Sequence, residues 1–363
     1  MHYVPDDQSV IVLGAGATKA FLPAAPLAID DYNLKHLCEQ FRGFPYAYKL
    51  LELERHRRSN GTINIEQLMT RLQGRMPYDS VDAIAQQSLL LSELMREFRR
   101  KIDFARQQEP HKDKLAAFAQ MCVNKSVTCI TFNYDDVLDQ ALWEVKPIQR
   151  GNPHSVYPKH WHPDGGYGFF IRPSVLAIHD MAQYMDNTSM LLLKLHGSIN
   201  WYPKKGERPP YNLNAIYHDE DWFRRDLGGP SLAFAQEVVA RHFEPDPFII
   251  PPVLDKTALS SEPVLQVVWS LAMKALQKSS RIYFVGYSMP VTDLAASFLF
   301  NESLDGRTHQ ISVINLATQE EPKDLIRSSY RKMFPKLKDD QFDFDGALNW
   351  VQKVCTIEGA SGA

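Results

Sequence analysis

Four short segments carry residues able to do chemistry, and each emerges from an apolar run of strand length. In VIVLGAGATKA the run opens into Gly14, Ala15, Gly16, Ala17 and Thr18 before a predicted helix. Small residues there let backbone N–H groups approach a diphosphate, and a helix N-terminus favours its negative charge. The third glycine of the G-x-G-x-x-G fingerprint would fall at Lys19, so the pattern is incomplete, and a tight strand-to-helix turn explains the same glycines equally well. VTCITFNYDDVLDQAL delivers Asn133, Tyr134, Asp135 and Asp136 at a strand end. A carboxamide both donates and accepts hydrogen bonds, which suits ribose hydroxyls or a positioned water. Asn133, Asp135 or Asp136 equally suits the cap of a helix beginning near Val137.

In LLLKLHGSINWY a strongly apolar strand ends in His196, Gly197 and Ser198. A histidine there reaches a crevice and accepts a proton near neutral pH. His2, His111, His154, His160 and His162 stand in loop-like sequence without a partner motif, so His196 is the catalytic candidate among the twelve histidines. RIYFVGYSMPVTDLAASFLF ends its strand in Gly286, Tyr287 and Ser288. Gly286 and Ser288 are candidates to border a nucleotide, Thr292 or Asp293 to cap the next helix, and Phe298, Leu299 and Phe300 to form that helix's core face.

The elements that must hold these segments are buried strands at Ser9 to Leu13, Val127 to Thr131, Leu191 to Leu195, Phe248 to Ile250, Arg281 to Val285 and Ile311 to Leu316. Continuous apolar runs followed by Gly, Asn, His or Ser predict a Rossmann-like parallel α/β sheet flanked by helices, with ligands at the strands' carboxyl ends. Leu91, Leu94, Met95, Phe98 and Ile102 make one apolar helix face within a helical insertion, and Leu265, Val268, Leu271, Ala272 and Leu276 make another leading into the strand at Arg281. The expected organisation is a core of residues 8–31, 121–201 and 246–363, a helical insertion at 32–120, and a second insertion at 202–245 built of helices and loops.

With 44% hydrophobic and 23% charged residues over 363 positions, the composition is that of an ordinary globular protein. A net charge of −3 and only a short basic cluster from Arg55 to Arg58, expected on a solvated helix face, disfavour direct nucleic-acid binding. No run approaches a membrane span and no signal peptide precedes the first strand, so a cytoplasmic location without membrane association is expected. Cys38, Cys122, Cys129 and Cys355 are never paired as C-x-x-C, which predicts free, mostly buried thiols and no metal.

Taken in order, the four segments resemble the sirtuin family: GAGAT is similar to its GAG-small-Ser loop, TFNYD to TQNID, KLHGS to LHGS, VGYS to its GTS ribose loop, and VINL to the late strand near the adenine. The resemblance covers the sheet, about half the chain. Phe132 replaces the family's Gln, and no cysteine lies between His196 and Val285, where deacylating sirtuins carry a four-cysteine zinc module. Asn133-Tyr134-Asp135, His196 to Trp201 and Gly286 to Asp293 instead resemble the zinc-free sirtuin-like proteins of bacterial antiviral defence, as in Thoeris and HerA-associated systems.

That resemblance implies NAD as substrate, with the diphosphate against Gly14 to Thr18, Gly286 and Ser288 along the adenosine side, and Asp135 organising the ribose. It implies an NAD glycohydrolase in which Asn133 holds the ribose or water and His196 acts as base or orients a hydroxyl, depleting NAD in antiphage defence. A sirtuin-type protein deacylase and a non-catalytic NAD or ADP-ribose sensor are the alternatives. No second catalytic domain is visible and the chain closes on a soft Glu-Gly-Ala-Ser-Gly-Ala tail. Control is therefore expected from a homo-oligomer or from a partner, with a HerA-type ATPase the first candidate.

Overall fold

The computed structural model describes residues 5–57, 61–74, 76–108, 110–145, 161–169, 171–173, 190–218, 246–250, 261–290, 293–304 and 306–361. Its centre is a six-stranded sheet of β1 (Ser9–Leu13), β4 (Thr128–Thr131), β6 (Leu192–Lys194), β9 (Arg281–Val285), β10 (Ile311–Ile314) and β11 (Phe342–Asp343). Every neighbouring pair is parallel, in the order β11-β10-β9-β1-β4-β6. The chain builds outward from β1 to β6 on one side, then returns to β9 and builds outward on the other. This is the doubly wound Rossmann-like order, whose switch point lies between β1 and β9.

Alternation along β9 shows how both faces are covered, because successive side chains point to opposite sides of a sheet. Tyr283 meets Trp350 with ring centroids 5.5 Å apart, whereas Phe284 meets Phe300 at 5.0 Å and Tyr330 at 5.4 Å. Trp350 comes from α12 (Ala347–Ser361), which packs with α1 (Ala15–Phe21) and α6 (Lys112–Lys125). Phe300 and Tyr330 come from α10 (Leu294–Leu304) and α11 (Glu320–Met333), and α9 (Pro263–Lys278) packs on α10. Helix α9 opens with Pro263 at its first turn, where a missing N–H costs nothing, and buries Val264, Leu265, Val268, Ala272 and Leu276.

Between β1 and β4 lie α2 (Leu34–Gln40), α3 (Pro45–Arg57), α4 (Ile65–Gln73) and α5 (Val81–Gln108), with β2 (Ile29–Asp30) and β3 (Ile63–Asn64) paired antiparallel. The apolar stripe of α5 buries Leu90, Leu94, Met95, Phe98 and Ile102, with Leu91 half-buried. These helices share a second apolar cluster with Tyr134, Val137, Ile199 and Ile249, which places the inserted segment directly over the loops at the strand ends. Helix α6 contributes Phe118, Met121 and Val123 to the main core instead.

Three expectations are corrected. Phe248 to Ile250 forms no strand of the sheet: it makes an isolated antiparallel bridge between Gly197 and Ile249. Pro247 and Pro251 bound the run and lack the N–H that a central strand must donate, which confines it to edge pairing. The start of the second insertion is β-structured, with β7 (Trp201–Pro203), β8 (Ile216–His218) and β5 (Arg172–Pro173) in one small sheet; residues 219–245 lie outside the described residues. The supposedly soft tail continues α12 as far as Ser361. Among the described residues no helix is long and apolar enough to cross a membrane.

Candidate active site

Register brings the four motifs to one level. Val285 pairs with Leu13, Leu13 with Thr131, and Thr131 with Lys194 across β9, β1, β4 and β6. Gly286, Gly14, Phe132 and Leu195 are therefore the first residues beyond the sheet, and Asn133 and His196 occupy the same second position on adjacent strands.

At the switch point the glycines meet each other. Gly16 N donates to Gly286 O at 3.0 Å and Gly14 N to Val285 O at 3.1 Å. A Cβ on Gly14 would stand 2.6 Å from Gly286 O, and Gly286, at φ +61°, has no room for one beside Ala17 N at 2.0 Å. The tight-turn explanation of these glycines is thus sufficient sterically, and the backbone contact it permits brings the two loops of the crevice together. Ala17 is buried; Ala15, Gly16 and Ser288 are exposed. Asn315 Nδ2 and Tyr330 Oη both donate to Tyr287 O, at 3.1 and 2.8 Å, and so pin the loop after β9.

Asn133 uses its amide nitrogen inside the protein, donating to Gly14 O and Thr18 Oγ1, each at 3.0 Å. Thr18 Oγ1 in turn donates to Asp135 Oδ2 at 2.9 Å, and Asp135 Oδ1 accepts from Val137 N at 3.1 Å. Asp135 thus holds the first N–H of α7 (Val137–Trp143), whose N-cap position is Asp136, and ties the helix start to the Gly14 loop. Burial raises its carboxyl above the usual range, against Lys194 and these hydrogen bonds. Asp136 is held by Arg106 instead: burial alone would raise its carboxyl, but Arg106 and Arg99 keep it below the ordinary value.

Beneath this loop lies a buried ion pair that the sequence reading missed. Lys194, fully buried, donates to Asp135 O at 2.5 Å and to Asp139 Oδ2 at 3.1 Å. Asp139 also accepts from Tyr167 Oη at 2.5 Å, which accepts from Asn200 Nδ2 at 3.1 Å. The only advance signal was a lysine inside an otherwise apolar strand.

His196 sits under a lid of aromatic rings, 2% exposed. The two residues flanking Asn133 both touch it: Phe132 edge-on at 5.4 Å between centroids, Tyr134 stacked at 6.1 Å. Its carbonyl accepts from Ile250 N at 2.9 Å, and Ser198 N donates to Phe248 O at 3.0 Å, so the Phe248–Ile250 bridge clamps the histidine loop. Gly197 is required at φ +78°, since a Cβ would strike Phe248 O at 2.1 Å. Nε2 of His196 lies 3.9 Å from Asp293 Oδ2, while Asp293 Oδ1 caps α10 by accepting from Ala296 N at 3.1 Å. Burial pushes the imidazole below its ordinary value, with Asp293 opposing. Thr292, the other proposed cap, lies outside the described residues.

Three buried polar atoms gather here without a hydrogen-bond partner among the described residues: His196 Nε2, Tyr134 Oη and Tyr287 Oη. Buried polar groups are ordinarily satisfied, so a cluster of unsatisfied ones around one ring system marks a place where a ligand or water completes the bonding. Among the described residues no group of three or more His, Cys, Asp or Glu is arranged to hold a metal ion. The cysteines are free, with Cys38, Cys122 and Cys129 buried.

No protein-family model matches the chain, and no curated protein matches it. Solved structures of similar fold include one reported under the structural basis for the mechanism and regulation of Sir2 enzymes, at 10% identity and TM-score 0.41, covering 99% of this chain and 95% of that one. A Sir2 homologue mutant in complex with ADP-ribose is 14% identical with TM-score 0.38, covering 91% and 94%. A Sir2 homologue–NAD complex is 12% identical with TM-score 0.36, covering 90% of each chain. At identities this low the chemistry rests on this chain's own residues.

Proposed function

We propose that this chain is an NAD glycohydrolase, binding NAD across the carboxyl ends of β9, β1, β4 and β6 and releasing nicotinamide and ADP-ribose. The observation that carries the reading is the matched position of Asn133 and His196 on adjacent strands, with the unsatisfied His196 Nε2 beside Asp293. The diphosphate lies against the Gly14 to Thr18 turn, with Gly286 and Ser288 toward the adenosine and no metal taking part.

Cleavage of the nicotinamide–ribose bond passes through an oxocarbenium-like ribose, and neutral nicotinamide is already a good leaving group. The site therefore has to position groups more than activate them. Asn133, held by Gly14 and Thr18, presents its amide oxygen toward ribose or water; His196 orients a ribose hydroxyl or accepts a proton; Asp135 fixes the loop that carries Asn133. Incubating the purified protein with NAD and measuring free nicotinamide tests this reading.

The biological role implied by the motif resemblance is NAD depletion in cytoplasmic antiphage defence. Control by self-association or by a HerA-type ATPase is part of the same proposal. Exposed apolar side chains on the inserted helices, among them Leu53, Leu89 and Phe104, support self-association. Light scattering, and NAD turnover with and without the ATPase, test it.

A further inference from the structure

Helix α5 touches both loops of the reacting centre from outside the sheet. Its buried stripe sets Phe98 edge-on against Tyr134, ring centroids 6.1 Å apart, and Phe98 and Ile102 share an apolar cluster with Tyr134, Val137 and Ile199. Tyr134 follows Asn133 in sequence and stacks on His196, so this contact lies next to both reacting groups. Two arginines stand beside the stripe. Arg99 donates to Ile199 O at 2.5 Å, in the loop that follows His196, and its guanidinium lies over the Tyr202 ring at 5.7 Å. Arg106 donates to Oδ1 of the buried Asp136, at the start of α7 and in the loop that carries Asn133. Two helical turns separate the arginines, at about 3.6 residues per turn, so one helix face presents both. The two loops are also bonded to each other, because Tyr134 O accepts from Ile199 N at 2.9 Å and from Ser198 Oγ at 3.3 Å.

We propose that α5 fixes the placement of the Asn133 and His196 loops relative to each other, with Arg99 and Arg106 as positioning residues for the reaction. This rests on the glycohydrolase reading and assigns the inserted segment a part in it. The ladder between β4 and β6 aligns the strands as far as Leu195 N, which donates to Thr131 O, and beyond that the loops leave the sheet. The contacts at Tyr134 O join them at a single point, about which they can pivot. Arg99 and Arg106 add one attachment on each loop, both to the same rigid helix, and three attachments remove the pivot. Each is a charge-assisted bond to a main-chain carbonyl or a buried carboxylate, about twice as strong as a neutral one. The precision matters because a misplacement of about 1 Å can cost a hundredfold in rate where groups act by alignment. Arginines that only fastened the insertion to the core would protect stability and leave the turnover of each folded molecule unchanged.

The test compares wild type, Arg99→Met and the double variant Arg106→Gln/Asp136→Asn in NAD hydrolysis, with amide hydrogen exchange on the unliganded proteins. Methionine keeps an apolar stem without a donor, and the double variant removes the ion pair without stranding a buried carboxylate, so both are expected to fold. In each, kcat is expected to fall by about tenfold or more while KM for NAD stays within a few fold of wild type. Exchange at Ile199 N, whose acceptor lies on the other loop, is expected to quicken in each variant while the amides of β1 and β9 keep their wild-type rates. Wild-type kcat in a folded variant, or a loss that lies wholly in KM, overturns the role of that arginine. Unchanged exchange at Ile199 N overturns it as well, and so does a quickening that extends equally to β1 and β9, which marks a fastening of the whole fold. A wild-type protein that releases no nicotinamide overturns the glycohydrolase reading, and the exchange rates then decide by themselves whether α5 holds the two loops.

Discussion

Asp293 uses its two carboxylate oxygens for two tasks: Oδ1 caps α10 at Ala296 N, and Oδ2 faces Nε2 of His196 at 3.9 Å. The histidine's environment is thereby tied to a helix start on the opposite side of the switch point. Asparagine still caps a helix but carries no charge. Asp293→Asn is therefore expected to change thermal stability little while lowering nicotinamide release by at least about tenfold. The imidazole should titrate at still lower pH, since Asp293 is what raises it. Unchanged turnover in a folded variant would remove Asp293 from the site.

The Lys194–Asp139 pair is a structural device for the loop that carries Asn133. Lys194→Met strands the Asp139 carboxylate in the core and frees the Asp135 carbonyl, a loss expected at about 3–5 kcal/mol. Adding Asp139→Leu should recover part of it by removing the stranded charge, leaving Tyr167 and Asn200 short of one partner each. Denaturant unfolding of the two variants decides this; equal stability of the single variant and wild type would contradict it.

Gly286→Ala tests the close approach at the switch point. The new Cβ meets Ala17 N at 2.0 Å in a left-handed backbone, so a loss of at least about 2 kcal/mol is expected. Gly306→Ala provides the control, with similar φ but open space around it, and should cost less. Equal losses at the two positions would show that backbone conformation alone matters.

The Glu66 carboxyl, in the first turn of α4, leaves a trace in stability. Its folded-state value of about 7 lies above the ordinary 4.5, so its ionisation favours the unfolded chain. The destabilisation begins as pH rises past 4.5 and is complete above 7. Glu66→Gln should then be the more stable protein at pH 8, by on the order of 2 kcal/mol, and nearly equal to wild type at pH 4.5. A difference that does not grow with pH would contradict the burial of this carboxyl.

What the sequence made legible follows from the physics of a buried parallel sheet. Strands covered on both faces are continuous apolar runs, so Ser9–Leu13 and Arg281–Val285 stood out to the residue, and the Gly, Asn and His that follow such runs could be nowhere but the carboxyl edge. Lone pairings left no such mark. The two-residue edge strand Phe342–Asp343 has too little pattern to see, and Phe248 to Ile250 has a strand's composition but proline neighbours that forbid a central place. Asp293 looked like a helix cap and is one; its contact with His196 appears only when the loops after β6 and β9 meet over the carboxyl edge of the sheet. Glu66 lies in an ordinary amphipathic helix, and nothing in IEQLMTRLQ says that burial raises its carboxyl.

The central claim is that Asn133 and His196, level with each other on adjacent strands, form one reacting centre for NAD. The most direct measurement is nicotinamide release from NAD by purified wild type, Asn133→Ala and His196→Ala, with circular dichroism on each to establish the fold. The account predicts release by wild type and a drop of about a hundredfold or more in each variant with an unchanged spectrum. Full turnover in a folded His196→Ala protein would contradict it.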